Sequence, residues 1–240
     1  MLWSPLFEKA FLPWLQPATI NLAQHGMPTQ HAGDVIAGLL GQASSKANNA
    51  AVALMVALGM LIFVLKSKEL ERILGSRVAI KRKVEAGELQ ALGSGIYSSP
   101  ALDPMIAAAL AVAKFFPRAV LSGRTALFIH KLSDHGVERL DVDIAKTTSL
   151  NNRMLEVHRV APSRLTGITK LKLEGQPVRI YDLERTLCES YRLDPAGPEF
   201  FTALKRYLKQ KEPDTLKIKK YDKVLGTNVL MHVMQEKANG

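Results

Sequence analysis

Glycines stand at positions 75, 87, 93 and 95, so no stretch between residues 66 and 100 can hold a helix of more than about three turns. The spacing predicts two short helices and a hairpin. Ser67 is a suitable N-cap for a helix over Lys68–Leu74, which Gly75 ends. Ser76 follows as the cap of a second helix, Arg77–Ala86, which Gly87 stops. Leu89–Leu92 and Ile96–Ser98 read as strands joined by Gly93, Ser94 and Gly95, where glycine admits the positive φ angles of a tight turn. Upstream, Asn49–Gly59 reads as a helix and Leu61–Leu65 as a strand. Helix, strand, helix, tight turn, helix and hairpin, in that order, describe a winged helix-turn-helix.

The Arg77–Ala86 helix has two faces. Ile80 and Val84 lie one turn apart and point inward. Arg77 and Lys81 lie one turn apart on another face, with Arg82 beside them. Together with Lys83, and against Glu85, they give this helix a net charge of +3. Arginine and lysine bond phosphates, or guanine O6 and N7 in the major groove, so the face suits a recognition helix. Ser76 leaves amide groups at the helix start that can also meet a phosphate. Lys66, Lys68, Arg72 and Lys83 are expected to supply further phosphate contacts, and the Gly93, Ser94 and Gly95 wing to touch the neighbouring backbone or minor groove. A solvated basic face on an ordinary surface helix is the plainer alternative; the hairpin that follows at once favours the DNA reading.

Net charge agrees without deciding the matter. The 240 residues carry 32 Lys and Arg against 22 Asp and Glu, a formal +10, which favours a polyanionic partner. The excess is spread over 48–100, 101–193 and 194–240, while residues 1–47 are balanced at two acids and two bases. Residues 1–47 show no sustained period and read as an irregular or partly helical extension, with a short helix around Pro5–Leu15. The apolar run Ala50–Leu65 is 16 residues long, short of the roughly 20 that cross a bilayer, so no membrane association is expected. The start of the chain lacks the basic residues and apolar run of a secretory signal, and one cysteine, Cys188, suits a reducing compartment. These features lead us to expect a cytoplasmic protein.

The remainder alternates helix and strand. Leu102–Phe116 reads as a buried helix, Ala119–Leu121 as a strand, and Ser122 as the cap of a helix to about Leu132. Arg139–Lys146, Met154–Val160, Ile168–Leu173 and Val178–Tyr181 read as strands, the last two joined by a turn over residues 174–177. Asp182 caps a helix over Leu183–Arg192. Phe200, Leu204 and Leu208, then Ile218, Tyr221 and Leu225, mark C-terminal helices, with Thr227 as a candidate cap for the last. The fold class is therefore α+β: an N-terminal winged helix-turn-helix over 48–100, then a mixed α/β domain over 101–240 with a helical C-terminal tail from 194.

The run KSKELERILGSRVAIKRKVEAGELQALGSGIYSSP, residues 66–100, resembles the N-terminal winged helix of the AbiEi antitoxin family of type IV toxin–antitoxin and abortive-infection systems. AVLSGRTALFIHKLSD (119–134), VRIYDLERTLCE (178–189), FFTALKRYLKQ and KKYDKVLG resemble later blocks of the family in the same order, covering about residues 50–235. The resemblance implies a transcriptional regulator that binds double-stranded DNA at its own promoter. It also implies a second partner, a nucleotidyltransferase-like toxin whose activity the protein opposes. Residue by residue, it places Ser76, Arg77, Lys81 and Arg82 on the recognition helix and Gly93, Ser94 and Gly95 on the wing. It implies no enzyme activity and no cofactor.

Other candidates read more plainly. Asp141, Asp143 and Lys146 lie on one predicted strand and loosely follow the acid–acid–lysine pattern of magnesium-dependent nucleases. The plainer reading is a solvent-facing strand edge, with Leu140, Val142 and Ile144 on the other side. Asp182 and Glu184 suit a helix start, Arg185 a structural ion pair, and Cys188 a core position. His130 and His135 are five residues apart and do not share a helical face, so a zinc pair is not expected. The alternatives to a DNA-binding antitoxin are a metal-dependent nuclease and a regulator anchored through Ala50–Leu65.

Overall fold

A computed structural model describes residues 64–195 and 197–239. The predicted helices at Pro5–Leu15 and Asn49–Gly59, and most of the Ala50–Leu65 run, lie outside them. The chain divides into two compact units, the first ending at Ala107 and the second starting at Ala108. No described helix is long and apolar enough to cross a membrane.

In the first unit, β1 (Val64–Lys66) leads into α1 (Ser67–Leu74) and α2 (Arg77–Glu85), followed by β2 (Gln90–Gly93) and β3 (Ile96–Ser98). The strands form an antiparallel sheet in the order β1-β3-β2, with Leu65 opposite Tyr97 and Lys66 opposite Ile96. Leu65, Leu70, Ile80 and Leu89 make the core beneath the helices, with Leu74, Val84 and Tyr97 packed against it. The short helices can form because each donates one or two apolar side chains to this shared cluster.

The second unit is built on a five-stranded mixed sheet in the order β6-β5-β4-β8-β7. Its strands are β4 (Val120–Leu121), β5 (Leu140–Ala145), β6 (Leu155–Val160), β7 (Ile168–Leu173) and β8 (Gln176–Tyr181). β5 runs parallel to β6 and β4 parallel to β8; the β4–β5 and β7–β8 pairs are antiparallel. The β7–β8 turn is tighter than the sequence predicts. Gln176 and Pro177 belong to the ladder, and only Glu174 (φ 47°) and Gly175 (φ 76°) turn the chain, both left-handed as a two-residue hairpin requires.

The helices are α3 (Pro104–Phe115), α4 (Gly123–Ile129), α5 (Leu183–Leu193), α6 (Pro198–Gln210), α7 (Thr215–Leu225) and α8 (Val229–Asn239). The last three are not a loose tail. Phe200, Leu204 and Tyr207 of α6, Ile218, Tyr221 and Leu225 of α7, and Val229 and Val233 of α8 share one buried cluster with Leu187 and Cys188 of α5. Tyr207, not Leu208, is the third buried anchor of α6. The architecture as a whole is α+β.

Candidate nucleic-acid interface

α1 ends at Gly75, whose φ of 81° gives the left-handed cap that stops a helix without a Cβ penalty. Ser76 follows in extended conformation and accepts a hydrogen bond from the Ala79 amide (3.2 Å), so its predicted capping role holds. The two helices are thus separated by two residues. Ser67 does not cap α1 as predicted. The N-cap is Lys66, whose amide donates to the Glu69 carboxylate (2.6 Å). The Ser67 hydroxyl instead reaches across 28 residues to the carbonyl of Gly95 (3.1 Å), as does its amide (2.8 Å).

That contact fixes the hairpin tip. Ser94 (φ 51°) and Gly95 (φ 69°) form a two-residue turn with both φ angles positive. A Cβ on Gly95 would lie 2.8 Å from the Ser67 hydroxyl oxygen, so a side chain here would displace that hydroxyl as well as strain the positive φ. Gly93 and Ser94 are exposed at the tip.

α2 buries Ile80 and half-buries Lys83 and Val84, which leaves Arg77, Val78, Lys81 and Arg82 together on the open side. The Arg77 side chain is 81% exposed, Lys81 79% and Val78 60%. Val78 carries no sequence signal beyond being an apolar side chain among cations.

The cations are not equivalent. The Arg77 Nε donates to Glu71 on α1 (2.6 Å), and this bond holds its guanidinium above the usual arginine range. Lys81 faces Glu85 one turn on (3.6 Å). Lys83 is bridged to Glu88 and turned from the open side. Lys68, Arg72 and Arg82 are exposed and have no acidic partner among the described residues. Lys66, the last residue of β1, is exposed too. Glu71 and Glu88 lie six and five residues from the cations they hold, spacings that the single-helix pattern does not reveal.

The rival site in the second unit comes apart. β5 is an interior strand, so Asp141 and Asp143 are not on a solvent edge. Asp143 is buried and accepts from the Tyr181 hydroxyl (2.8 Å); burial pushes its carboxyl up despite that bond. Asp141 accepts from the Arg124 amide (3.0 Å) and from the His158 ring (3.0 Å), which raises the histidine. Ser122 sits at the N-cap position of α4 but makes no capping bond; Asp141 does that work. Lys146 is exposed beyond the strand end. Among the described residues no group of three His, Cys, Asp or Glu is arranged to hold a metal.

On α5, Asp182 accepts from the Arg185 amide (2.9 Å), as a cap should. Arg185 is 1% exposed, ion-paired with Glu189 (2.5 Å) and stacked 4.4 Å over the Tyr181 ring. Burial works to raise Glu184 and Glu189. Lys211 and Tyr207 on the first, and Arg192 and Arg185 on the second, outweigh it and hold both carboxyls below the usual range. Cys188 is buried, and burial pushes its thiol up, which leaves it an inert core residue. His130 bonds the Tyr181 carbonyl (2.7 Å).

No family model matches the chain, and no curated protein matches it. Among solved structures it is similar to the RV2827C protein of Mycobacterium tuberculosis, with a TM-score of 0.48 and 15% identity over 72% of this chain and 70% of that one.

Proposed function

We propose that the chain is a DNA-binding transcriptional regulator and the antitoxin of a type IV toxin–antitoxin system, and that residues 64–98 are the described part of a winged helix-turn-helix. One observation carries the reading. The open side of α2 brings Arg77, Val78, Lys81 and Arg82 together behind the Ser76 cap, next in sequence to a hairpin with a two-residue tip. In this reading the α2 face enters the major groove. Arg77 and Lys81 exchange Glu71 and Glu85 for base edges, and Val78 meets a thymine methyl. Lys66, Lys68, Arg72 and Arg82 bond phosphates and make binding fall with salt. Lys83 joins them only by opening its bridge to Glu88. Ser94, at the tip flanked by Gly93 and Gly95, touches the neighbouring backbone.

The protein represses its own operon and opposes a nucleotidyltransferase-like toxin, acts in the cytoplasm, and is not an enzyme. Support for these parts comes from the ordered sequence blocks that resemble the AbiEi family. The test is binding of the full chain to its own promoter. Arg77→Ala with Lys81→Ala should weaken it by about 1–3 kcal/mol per lost base contact. Unchanged promoter affinity in that double variant overturns the recognition-helix assignment. Co-expression with the toxin tests the other half: the wild-type chain should restore growth, and failure to do so removes the antitoxin role.

A further inference from the structure

In the second unit, Lys170 of β7 and Arg179 of β8 are direct partners in the antiparallel ladder. Their side chains therefore leave the same face of the sheet, with Cβ atoms about 5 Å apart. Two cations placed so repel each other, and neither has an acidic partner among the described residues. Arg179 is not free to swing away, because its Nη1 donates to the carbonyl of Pro117 (2.9 Å). Both residues line one rim of a half-open groove of about 190 Å³. Ala109, Val112 and Ala113 of α3 and Leu121 of β4 give that groove an apolar wall, and no acid among the described residues lines it. A cavity of ~150 Å³ holds a benzene ring.

We propose that this groove is a binding site for a small amphiphilic monoanion, with a body of one aromatic ring and a carboxylate head. The ring lies on the alanine and valine side chains. The carboxylate sits between Lys170 and Arg179, relieves their repulsion, and takes the guanidinium N–H groups that Pro117 leaves unused. A carboxylate suits this rim because the planar arginine fork matches it in two bonds. The site is separate from the DNA reading and does not depend on it.

Benzoate titrated into the full-length protein, followed by amide NMR shifts, tests the proposal. Saturable binding near ~1 mM, the affinity expected of so small a ligand, is the expected result, with shifts confined to α3, β4, β7, β8 and the segment at Pro117. Inorganic phosphate, which lacks the ring, and benzyl alcohol, which lacks the charge, should each bind at least tenfold more weakly. Lys170→Glu, at an exposed position where folding is not at risk, should abolish benzoate binding. Lys172→Glu makes the same charge change on the same strand outside the groove and should reduce binding less than threefold. No saturation by about 10 mM overturns the site. So does phosphate matching benzoate, which would leave only a cation pair, or equal losses from the two lysine variants.

Discussion

Gly95→Ala should damage the first unit more than the same change at Gly87, and the excess should come from one hydroxyl group. Gly75 and Gly87 set the baseline. Their φ angles are 81° and 72°, and an added Cβ at either meets nothing within 4 Å. Alanine there costs only the left-handed backbone, about 1–2 kcal/mol. Gly95 has a similar φ of 69°, but its Cβ would sit 2.8 Å from the Ser67 Oγ. The hydroxyl must rotate away and give up its bond to the Gly95 carbonyl, a further ~0.5–1.5 kcal/mol. In a Ser67→Ala background the nearest remaining atom is the Cβ at 3.8 Å, an ordinary contact. The excess should then vanish, giving a coupling of about 1 kcal/mol between the two positions. Melting the whole chain would blend two units, so the assay is native-state hydrogen exchange at the Leu70 and Ile80 amides. A Gly95→Ala cost equal to that of Gly87→Ala, or one untouched by Ser67→Ala, refutes the reasoning.

Three further outcomes follow from the same contacts. Asp222 on α7 accepts from the Val229 and Leu230 amides (both 3.0 Å), so Asp222→Ala should lower denaturant stability by about 1–2 kcal/mol through loss of the α8 cap; a loss below ~0.5 kcal/mol removes that role. His158 is raised by its bond to Asp141, so the stability this pair contributes is fully present below the unfolded histidine's pKa and is lost as pH rises through the higher folded value. Asp141→Asn should bring the imidazole NMR titration back toward the ordinary midpoint, and an unmoved midpoint contradicts the assignment. On α2, Arg82→Ala should weaken promoter binding more than Lys83→Ala, because Arg82 is exposed with no acidic partner among the described residues and Lys83 is already bridged to Glu88; equal losses would show that the bridge opens freely.

What the sequence made legible divides along one physical line, the reach of the interaction. Helix stops at Gly75 and caps at Ser76 and Asp182 depend on atoms within four residues, and the structure has them where the pattern put them. Three other expected caps do not bond the helix start. Ser122 is at the N-cap position, Ser67 is already the first residue of α1 and Thr227 lies two residues before α8, and amides at the starts of α1, α4 and α8 are bonded by Glu69, Asp141 and Asp222. Asp141 lies 17 residues from the amide it caps, on a strand that only the folded sheet brings near. Gly123 (φ 48°) permits the approach, since a Cβ there would lie 3.0 Å from the Asp141 carboxyl. A carboxylate binds an N–H more strongly than a hydroxyl does, so at α4 the tertiary Asp141 takes the place of the local Ser122.

The same competition explains why the candidate interface was only half visible. In the sequence, Arg77, Lys81, Arg82 and Lys83 are one undifferentiated basic run. Folding sorts them by which acids it brings within reach. Glu71 crosses the helix–helix turn to Arg77, Glu88 comes back past Gly87 to Lys83, and Arg82 is left open. In the second unit the acids singled out for metal chemistry are consumed in the same way, Asp143 by Tyr181 and Asp141 by His158 and the start of α4. On the open side of α2, Arg82 has no acidic partner among the described residues, whereas Arg77 and Lys81 must release Glu71 and Glu85 to meet one outside the chain. The Lys170–Arg179 rim likewise has no acidic partner among the described residues, so density of lysine and arginine alone does not rank these surfaces.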